Sequence, residues 1–173
     1  MKKNIFYLII LLFFTFIFTI FYIGLDKPNF YTPKEIKNKS LEEFTSTELF
    51  SNEQFSSNDI IENNKFTLIN IWSSWCVPCR LEHSVLMDLS KKTDLNIVGL
   101  NYKDKKNNAI KFLNELGNPF SKILTDPDGI VSISLGAYGV PETFLLNNKS
   151  KIIRKYIGPL TKENIVEIIK IIK

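Results

Sequence analysis

The first hydrophobic stretch of the chain, residues 5–25, contains no charged side chain. At a rise of 1.5 Å per residue, a helix of this length would be about 30 Å long, enough to cross the core of a bilayer. A cleaved signal peptide is the alternative, but its apolar part is typically about 7–15 residues and ends at a small-residue cleavage site. The segment FYIGLDKP offers no such site. We therefore expect residues 1–25 to comprise a short N-terminus and a retained membrane anchor.

Two lysines, Lys2 and Lys3, precede this stretch. The positive-inside rule then keeps the N-terminus cytoplasmic and places everything after the anchor on the outer side of the membrane. Residues 26–39 contain two prolines and mixed charges, which resist regular structure, so they are predicted to be a linker. Residues 40–173 then form one domain of ordinary size, beginning with a short extended segment at 40–44.

Hydrophobic patterns in this domain alternate between those of strands and those of helices. Short apolar runs rich in β-branched and aromatic residues predict buried strands at 66–72 and 95–101. A first helix is predicted at 78–91, and its apolar stripe at helical spacing consists of Leu81, Val85, Leu86 and Leu89. A second helix is predicted at 109–116, ended by Gly117.

The C-terminal part of the pattern predicts a hairpin and one more helix. Residues 143–146 and 152–157, separated by NNKS, are typical of two antiparallel strands. Thr161 can cap a final helix. The buried face of that helix would consist of Ile165, Ile168, Ile169 and Ile172. The predicted order β-α-β-α-β-β-α indicates an α/β fold with helices on both faces of a central sheet.

The charge of the chain argues against nucleic acid as a partner. The formal net charge is +4, and Lys2 and Lys3 supply two of these charges. The exported part therefore carries only about +2, with basic and acidic residues interspersed. This is too weak and too evenly mixed to form the basic surface that nucleic-acid binding needs.

The chain contains only two cysteines, Cys76 and Cys79, in the segment NIWSSWCVPCR. They lie between a predicted strand and the first turn of a predicted helix, where Pro78 is well tolerated. The free N–H groups and the dipole of a helix N-terminus stabilise a thiolate, so we expect the more exposed sulfur, that of Cys76, to have a lowered pKa. Residues three apart on one helical turn can also form a disulfide. The site can therefore cycle between dithiol and disulfide.

Other roles for this C-x-x-C motif are weaker. A structural disulfide that closes so short a loop constrains the unfolded chain little. Covalent haem attachment requires C-x-x-C-H, and Arg80 occupies the histidine position. A structural zinc site requires four ligands, and only His83 is available beside the two sulfurs. A carrier of copper remains an alternative because two thiolates bind soft metals.

Several motifs beyond the cysteines resemble one family. The segment NIWSSWCVPCRLEH is similar to the active-site segment of membrane-anchored thioredoxin-like proteins. The stretches GLNYKD, FLNELGNPF, DPDG and GAYGVPETFLL, in this order, resemble the thiol:disulfide interchange proteins of cytochrome c maturation, the CcmG/DsbE type. The resemblance runs from about residue 40 to the end. It implies a thioredoxin-like fold, with a central mixed sheet, preceded by one transmembrane helix.

The resemblance also implies roles for individual residues. Cys76 matches the attacking cysteine and Cys79 the resolving one. Pro141 falls where thioredoxin-like proteins place a cis proline facing the dithiol, which would leave the main chain of Val140 to pair with a substrate. Trp75, next to Cys76, is expected to flank the substrate site.

The acid that accompanies the dithiol is less evident. Thioredoxin has an aspartate six residues before the first cysteine, and this chain has Asn70 there. Glu142, which follows the presumed cis proline, resembles the acid of the family, and we expect it to raise the thiol pKa values and relay a proton. Glu82 is the other candidate, although a solvated surface carboxylate is the more common role for such a residue. His83 is expected on the helix surface and Trp72 in the core.

Partners and location also follow from the resemblance. It implies an inner-membrane protein with its C-terminal domain in the periplasm, acting as a reductase on apocytochrome c or on a haem-ligation partner. Electrons would come from a membrane donor of the DsbD type, since the chain has no flavin or nicotinamide motif and no other cofactor is expected. A general periplasmic thiol oxidant and a non-enzymatic copper or haem-pathway carrier are the alternatives.

Overall fold

A computed structural model describes residues 2–25, 39–61 and 64–173. The chain divides into two compact units, Met1–Lys34 and Glu35–Lys173. In the first unit, helix α1 (Lys2–Leu25) contains an apolar span, Lys3–Gly24, with a mean hydropathy of 2.6. By length and composition this span can cross a membrane, although a signal sequence has the same properties. Apart from Lys39, the predicted linker lies outside the described residues, and the division at residues 25 and 39 stays a prediction.

The second unit is built on one mixed sheet of seven strands. Its spatial order is β2-β1-β5-β4-β3-β6-β7. The three central strands β3, β4 and β5 are parallel, and the outer strands pair antiparallel. The strand bounds are β1 Thr45–Glu48, β2 Gln54–Ser56, β3 Phe66–Trp72, β4 Asn96–Tyr102, β5 Lys122–Asp126, β6 Glu142–Asn147 and β7 Ile152–Ile157.

Helices cover both faces of this sheet. Their bounds are α2 Ser57–Ile61, α3 Val77–Lys92, α4 Lys106–Leu116, α5 Ile130–Ser134 and α6 Lys162–Ile172. Alternate residues of β3 point to opposite faces, so Leu68 and Trp72 join a cluster with α3, α4 and α6, whereas Ile69 and Ile71 join a cluster with α2. The predicted α/β fold with helices on both faces is confirmed, and the arrangement is that of a thioredoxin-like fold.

Several predicted elements match closely, and others were missed. Strand β3 has the predicted bounds, and α3 is one residue longer at each end. Thr161 caps α6 as predicted, and its side-chain oxygen accepts the N–H of Asn164. Of the four isoleucines predicted to be buried on α6, Ile168 is buried and the other three are partly buried. The prediction omitted β1, β2, α2, β5 and α5, all of which have five residues or fewer.

The buried face of α3 differs from the predicted one. Leu81 is 71% exposed, so its place on the buried stripe was wrong. The residues that face the core are Cys79, Glu82, His83, Leu86 and Leu89, and they follow the helical spacing of one face. Two polar residues therefore lie on the inner face, and an apolar one points to solvent. The placement of His83 on the surface was wrong for the same reason.

Gly99 in β4 allows two aromatic rings to pack against the sheet. An ideal β-carbon at this position would lie 2.8 Å from Trp72 Nε1 and 3.0 Å from Phe120 Cδ2. We expect Gly99→Ala to lower the free energy of unfolding by about 1–3 kcal/mol, because both rings must shift in a close-packed core. Denaturant unfolding monitored by circular dichroism measures this change. Gly139→Ala, which would meet no atom within 4 Å, is the matched control. Equal stability of the two variants would contradict the expectation.

Candidate active site

The two cysteines form a disulfide at the N-terminal end of α3. Strand β3 ends at Trp72, and Cys76 follows as the N-cap of α3 in an extended backbone conformation. The backbone N–H of Cys79 donates a hydrogen bond to Cys76 Sγ at 3.1 Å. Both side chains are almost fully buried in this oxidised form, and Cys76, predicted to be the more exposed, is so only slightly. The sulfurs lie between a strand and the first turn of a helix, where the sequence pattern placed them.

An exposed aromatic residue, Trp75, directly precedes the first cysteine. The side chain of Trp75 is 56% exposed, and its Nε1 donates a hydrogen bond to the carbonyl oxygen of Lys103 at 3.0 Å. Trp72 lies in the core, as predicted, and stacks on Phe120 with ring centroids 5.6 Å apart. Trp75 is therefore exposed beside Cys76 in the chain, and its contact with a substrate stays a prediction, whereas Trp72 belongs to the core cluster that contains both cysteines.

The turn before Cys76 is held by the NYKD segment. Asp104 Oδ2 accepts the backbone N–H of Ser74 at 2.6 Å, and its Oδ1 accepts the Ser74 hydroxyl at 2.8 Å. Asn101 Nδ2 donates to the same carboxylate at 3.1 Å. These bonds fix the backbone two residues before the first cysteine. The Asp104 carboxylate therefore holds the conformation of the turn that leads from β3 to Cys76.

The peptide bond between Val140 and Pro141 is cis, as predicted. Strand β6 begins directly after Pro141, and its first residue, Glu142, pairs with Ile71 near the C-terminal end of β3. The cis bond and the disulfide therefore lie at the same end of these two strands. The carbonyl oxygen of Pro141 accepts a hydrogen bond from Gly158. Within the described parts of the chain, the N–H and C=O of Val140 have no backbone hydrogen bond. These two groups are therefore available for pairing with another strand.

Glu82 is a buried acid behind the dithiol. It lies one helical turn after Cys79 on the inner face of α3, and it is 2% exposed, so the prediction of a solvated carboxylate was wrong. Its Oε2 accepts the Leu160 N–H at 2.6 Å, and its Oε1 accepts Asn70 Nδ2 at 2.9 Å. Burial raises the pKa of Glu82 to about 7, although both hydrogen bonds act in the opposite direction. Asn70, at the position where thioredoxin has an aspartate, therefore contacts the carboxylate of Glu82, which comes from α3.

Glu142 is also buried, but a cation neutralises its charge. Its Oε1 accepts the backbone N–H groups of Tyr138 and Gly139 at 2.7 Å and 3.1 Å, and its Oε2 lies 2.8 Å from Lys155 Nζ. A paired carboxylate has a weaker effect on a nearby thiol than an unpaired one. The proton relay expected of Glu142 stays a prediction, and the ion pair favours Glu82 for this task.

Two buried neighbours of the site could not be predicted from the sequence. Lys155 is in the middle of β7, where a lysine ordinarily points to solvent, and the sequence contains no local sign of its burial. His83 is buried beside the GNPF segment, where its Nε2 forms a hydrogen bond with the carbonyl oxygen of Gly117 at 2.9 Å. Burial also lowers the pKa of His83. The NYKD and GNPF segments therefore both support the site.

Comparisons with known proteins agree with this arrangement. The model of the Redoxin family matches residues 36–169. Thiol:disulfide interchange protein CycY of Rhizobium leguminosarum bv. viciae is 48% identical over 103 residues, which cover 60% of this chain and 55% of the relative. Thiol:disulfide interchange protein DsbE of Haemophilus influenzae is 37% identical over 130 residues, covering 75% of this chain and 68% of the relative. The chain thus spans about half the length of CycY and two thirds of the second relative.

Among solved structures, a DsbF homologue from Corynebacterium diphtheriae has a TM-score of 0.67 at 24% identity. The match covers 83% of this chain and 95% of that one, and it shows the shared fold. Since the Redoxin model covers most of the chain and the similarity to DsbE extends over most of that relative, the chain belongs to the Redoxin family and, within it, to the thioredoxin-like thiol:disulfide interchange proteins of the DsbE (CcmG) type.

Proposed function

We propose that this protein is a membrane-anchored thiol-disulfide oxidoreductase that reduces the disulfide of apocytochrome c, or of a partner that carries its thiols, before haem attachment. The observation that carries the proposal is the Cys76–Cys79 pair at the N-terminus of α3, at the same sheet edge as a cis proline, in a chain of the DsbE type. The apolar helix α1 supports an anchor, and an anchor at this position implies a C-terminal domain in the periplasm.

The reaction is a two-step exchange. In the reduced protein the thiolate of Cys76 attacks one sulfur of a substrate disulfide, which forms a mixed disulfide and releases the other substrate sulfur as a thiolate that takes up a proton. Cys79 then loses its proton and attacks Cys76 Sγ, which releases the second substrate thiol and leaves the Cys76–Cys79 disulfide. Two electrons pass from protein to substrate, and a membrane electron donor of the DsbD type must supply them again.

The surroundings of Cys76 favour its role as the attacking residue. Its sulfur accepts the N–H of Cys79 and lies at the positive end of the α3 dipole, and both interactions stabilise a thiolate. Trp75 directly precedes Cys76, and Val140 packs against the core cluster that contains both cysteines. An extended substrate chain can therefore pack on the exposed ring of Trp75 and pair with the backbone groups of Val140, which have no backbone partner among the described residues.

Glu82 is the acid that we assign to the second step. Cys79 must lose a proton before it can attack, and Glu82 is one turn further along the buried face of α3. A general base is most effective when its pKa lies near the working pH, and that of Glu82 is about 7. Glu142 is already paired with Lys155 and bonded to two amides, so we propose that it holds the loop before Pro141.

The reduction potential tests the direction of the reaction. We expect equilibration with glutathione to give a value more negative than about −180 mV, since strong oxidants such as DsbA lie near −120 mV and a two-electron change of 30 mV is worth about 1.4 kcal/mol. The Cys76 and Cys79 thiols can be alkylated at each glutathione ratio and counted by mass spectrometry. A value near −120 mV would support the alternative of a general thiol oxidant.

A further inference from the structure

A buried cation lies beneath the loop that leads to the cis proline. Lys155 points inward from β7, and its side chain is only 8% exposed. Its Nζ lies 2.8 Å from Glu142 Oε2 and donates a hydrogen bond to the carbonyl oxygen of Gly136 at 2.7 Å. The same ammonium lies 4.1 Å from the centroid of the Tyr138 ring. One lysine therefore contacts the beginning and the middle of the loop, as well as the acid that follows its end.

The loop itself, residues 136–140, is tied to this ion pair at several points. Lys155 binds the Gly136 carbonyl, and Glu142 accepts the N–H groups of Tyr138 and Gly139. The residue that follows is Val140, whose backbone groups are the ones we propose to pair with the substrate. The position of the substrate-pairing groups therefore depends on a lysine and an acid from two adjacent strands.

The loop also displays an aromatic ring. The Tyr138 side chain is 58% exposed although its face packs on the Lys155 ammonium. An aromatic ring supported by a cation loses little conformational freedom when it binds, and aromatic residues are enriched where proteins contact each other. Tyr138 lies three residues before Pro141 and Trp75 lies directly before Cys76, so both exposed rings belong to segments that lead to the site.

We infer that Lys155 is a positioning residue for polypeptide substrates and that Tyr138, which it supports, contacts the substrate chain beside its disulfide. The inference rests on the proposed exchange at Cys76 and deepens it. A small organic disulfide reaches the sulfur without pairing with the loop, whereas a polypeptide disulfide must align its backbone with Val140. Lys155 and Tyr138 therefore determine how strongly the site prefers polypeptides over small disulfides.

The test compares two substrates with the full-length protein in detergent, reduced beforehand with dithiothreitol and then freed of it, so that the Cys76–Cys79 dithiol supplies the two electrons of a single turnover. One is a synthetic peptide with a single disulfide, and the other is 5,5′-dithiobis(2-nitrobenzoate). For Lys155→Met and for Tyr138→Ala we expect the ratio of the single-turnover second-order rate constant for the peptide to that for the small disulfide to fall about five- to tenfold, as when one well-placed contact to a substrate is lost. The change should appear mainly in the peptide concentration at which the single-turnover rate is half-maximal. Lys151→Met, which changes an exposed lysine just before the same strand, is the matched control.

A second pair of changes separates positioning from stability. Lys155→Met alone leaves a buried carboxylate unpaired, which is strongly destabilising, whereas replacing both partners of a buried pair is often neutral. We therefore expect Lys155→Met/Glu142→Gln to regain stability without regaining the preference for the peptide. If Lys155→Met does not fold, the double variant and Tyr138→Ala decide the matter.

Three outcomes have distinct meanings. An unchanged peptide preference in the folded variants would overturn the inference but not the proposed function. An equal loss on both substrates would also overturn it, because it would indicate a general defect. If the unaltered protein exchanges neither disulfide, the proposed function itself fails.

Discussion

Replacing Cys79 by serine is expected to leave the protein covalently joined to its substrate, and replacing Cys76 is expected to abolish exchange completely. The first step requires only the thiolate that the N-terminus of α3 stabilises, and Cys76 is the residue whose sulfur lies there. The second step requires a thiol one helical turn away, and only Cys79 can supply it. Without Cys79 the mixed disulfide on Cys76 has no internal nucleophile and persists.

Non-reducing electrophoresis with mass spectrometry of the captured species measures this result. The Cys79→Ser variant should accumulate a mixed disulfide that a reducing agent releases, and the captured peptide should carry a cysteine. The Cys76→Ser variant is the matched control, since it also retains one thiol and differs by the same single atom. Capture by the Cys76→Ser variant instead would reverse the roles assigned to the two sulfurs.

Glu82→Gln is expected to slow the resolution of the mixed disulfide about 100-fold, within the range that a general base contributes. The introduced amide cannot take the proton of Cys79, but it fits the same space. Asn70 Oδ1 has no hydrogen-bond partner in the described structure, so a rotated Asn70 side chain can accept from the introduced amide while the Leu160 N–H keeps an acceptor. Rapid mixing with a disulfide peptide across pH 5–9 measures the step. Glu142→Gln is the control, and an equal effect of both substitutions would contradict the assignment to Glu82.

The same substitution should change how stability depends on pH. The pKa of Glu82 is raised from 4.5 to about 7 on folding, so the folded state retains a proton that the unfolded state has lost in this range. The contribution of Glu82 to the free energy of unfolding should therefore be fully present below about pH 4.5. It should fall by about 3 kcal/mol as the pH rises to about 7. Glu82→Gln should lack that loss. Denaturant unfolding at several pH values gives the free energy of unfolding as a function of pH for the unaltered protein and for Glu82→Gln. The same pH dependence in both proteins would show that Glu82 is not a buried titrating group.

Local sequence patterns were sufficient to predict the main strands and helices that position this site. Strand β3, the start of α3 and the cap at Thr161 each depend on neighbours within a few residues, and each could be predicted. The five-residue helix α5 spans less than two turns, too short for a helical period to be recognised. Short motifs alone do not predict which side chains become buried.

The acids show why the rest could not be predicted. Glu82 is buried because Asn70 and Leu160, 12 and 78 residues away in the chain, satisfy its oxygens. Glu142 is buried because Lys155 faces it from the next strand. In both cases the decisive partner is brought close only by the tertiary fold, and a carboxylate without that partner would remain in water.

The hydrogen bond from Leu160 to Glu82 gives the protein an internal spectroscopic probe. This amide is in the segment between β7 and α6 and donates to the buried carboxylate at 2.6 Å. Its proton resonance in an NMR spectrum should move as the acid ionises, with a midpoint at the pKa of Glu82. A titration of that single backbone signal therefore reports the charge behind the dithiol without altering either sulfur, and recording it in the oxidised and reduced forms measures how strongly the redox state and the proton are linked.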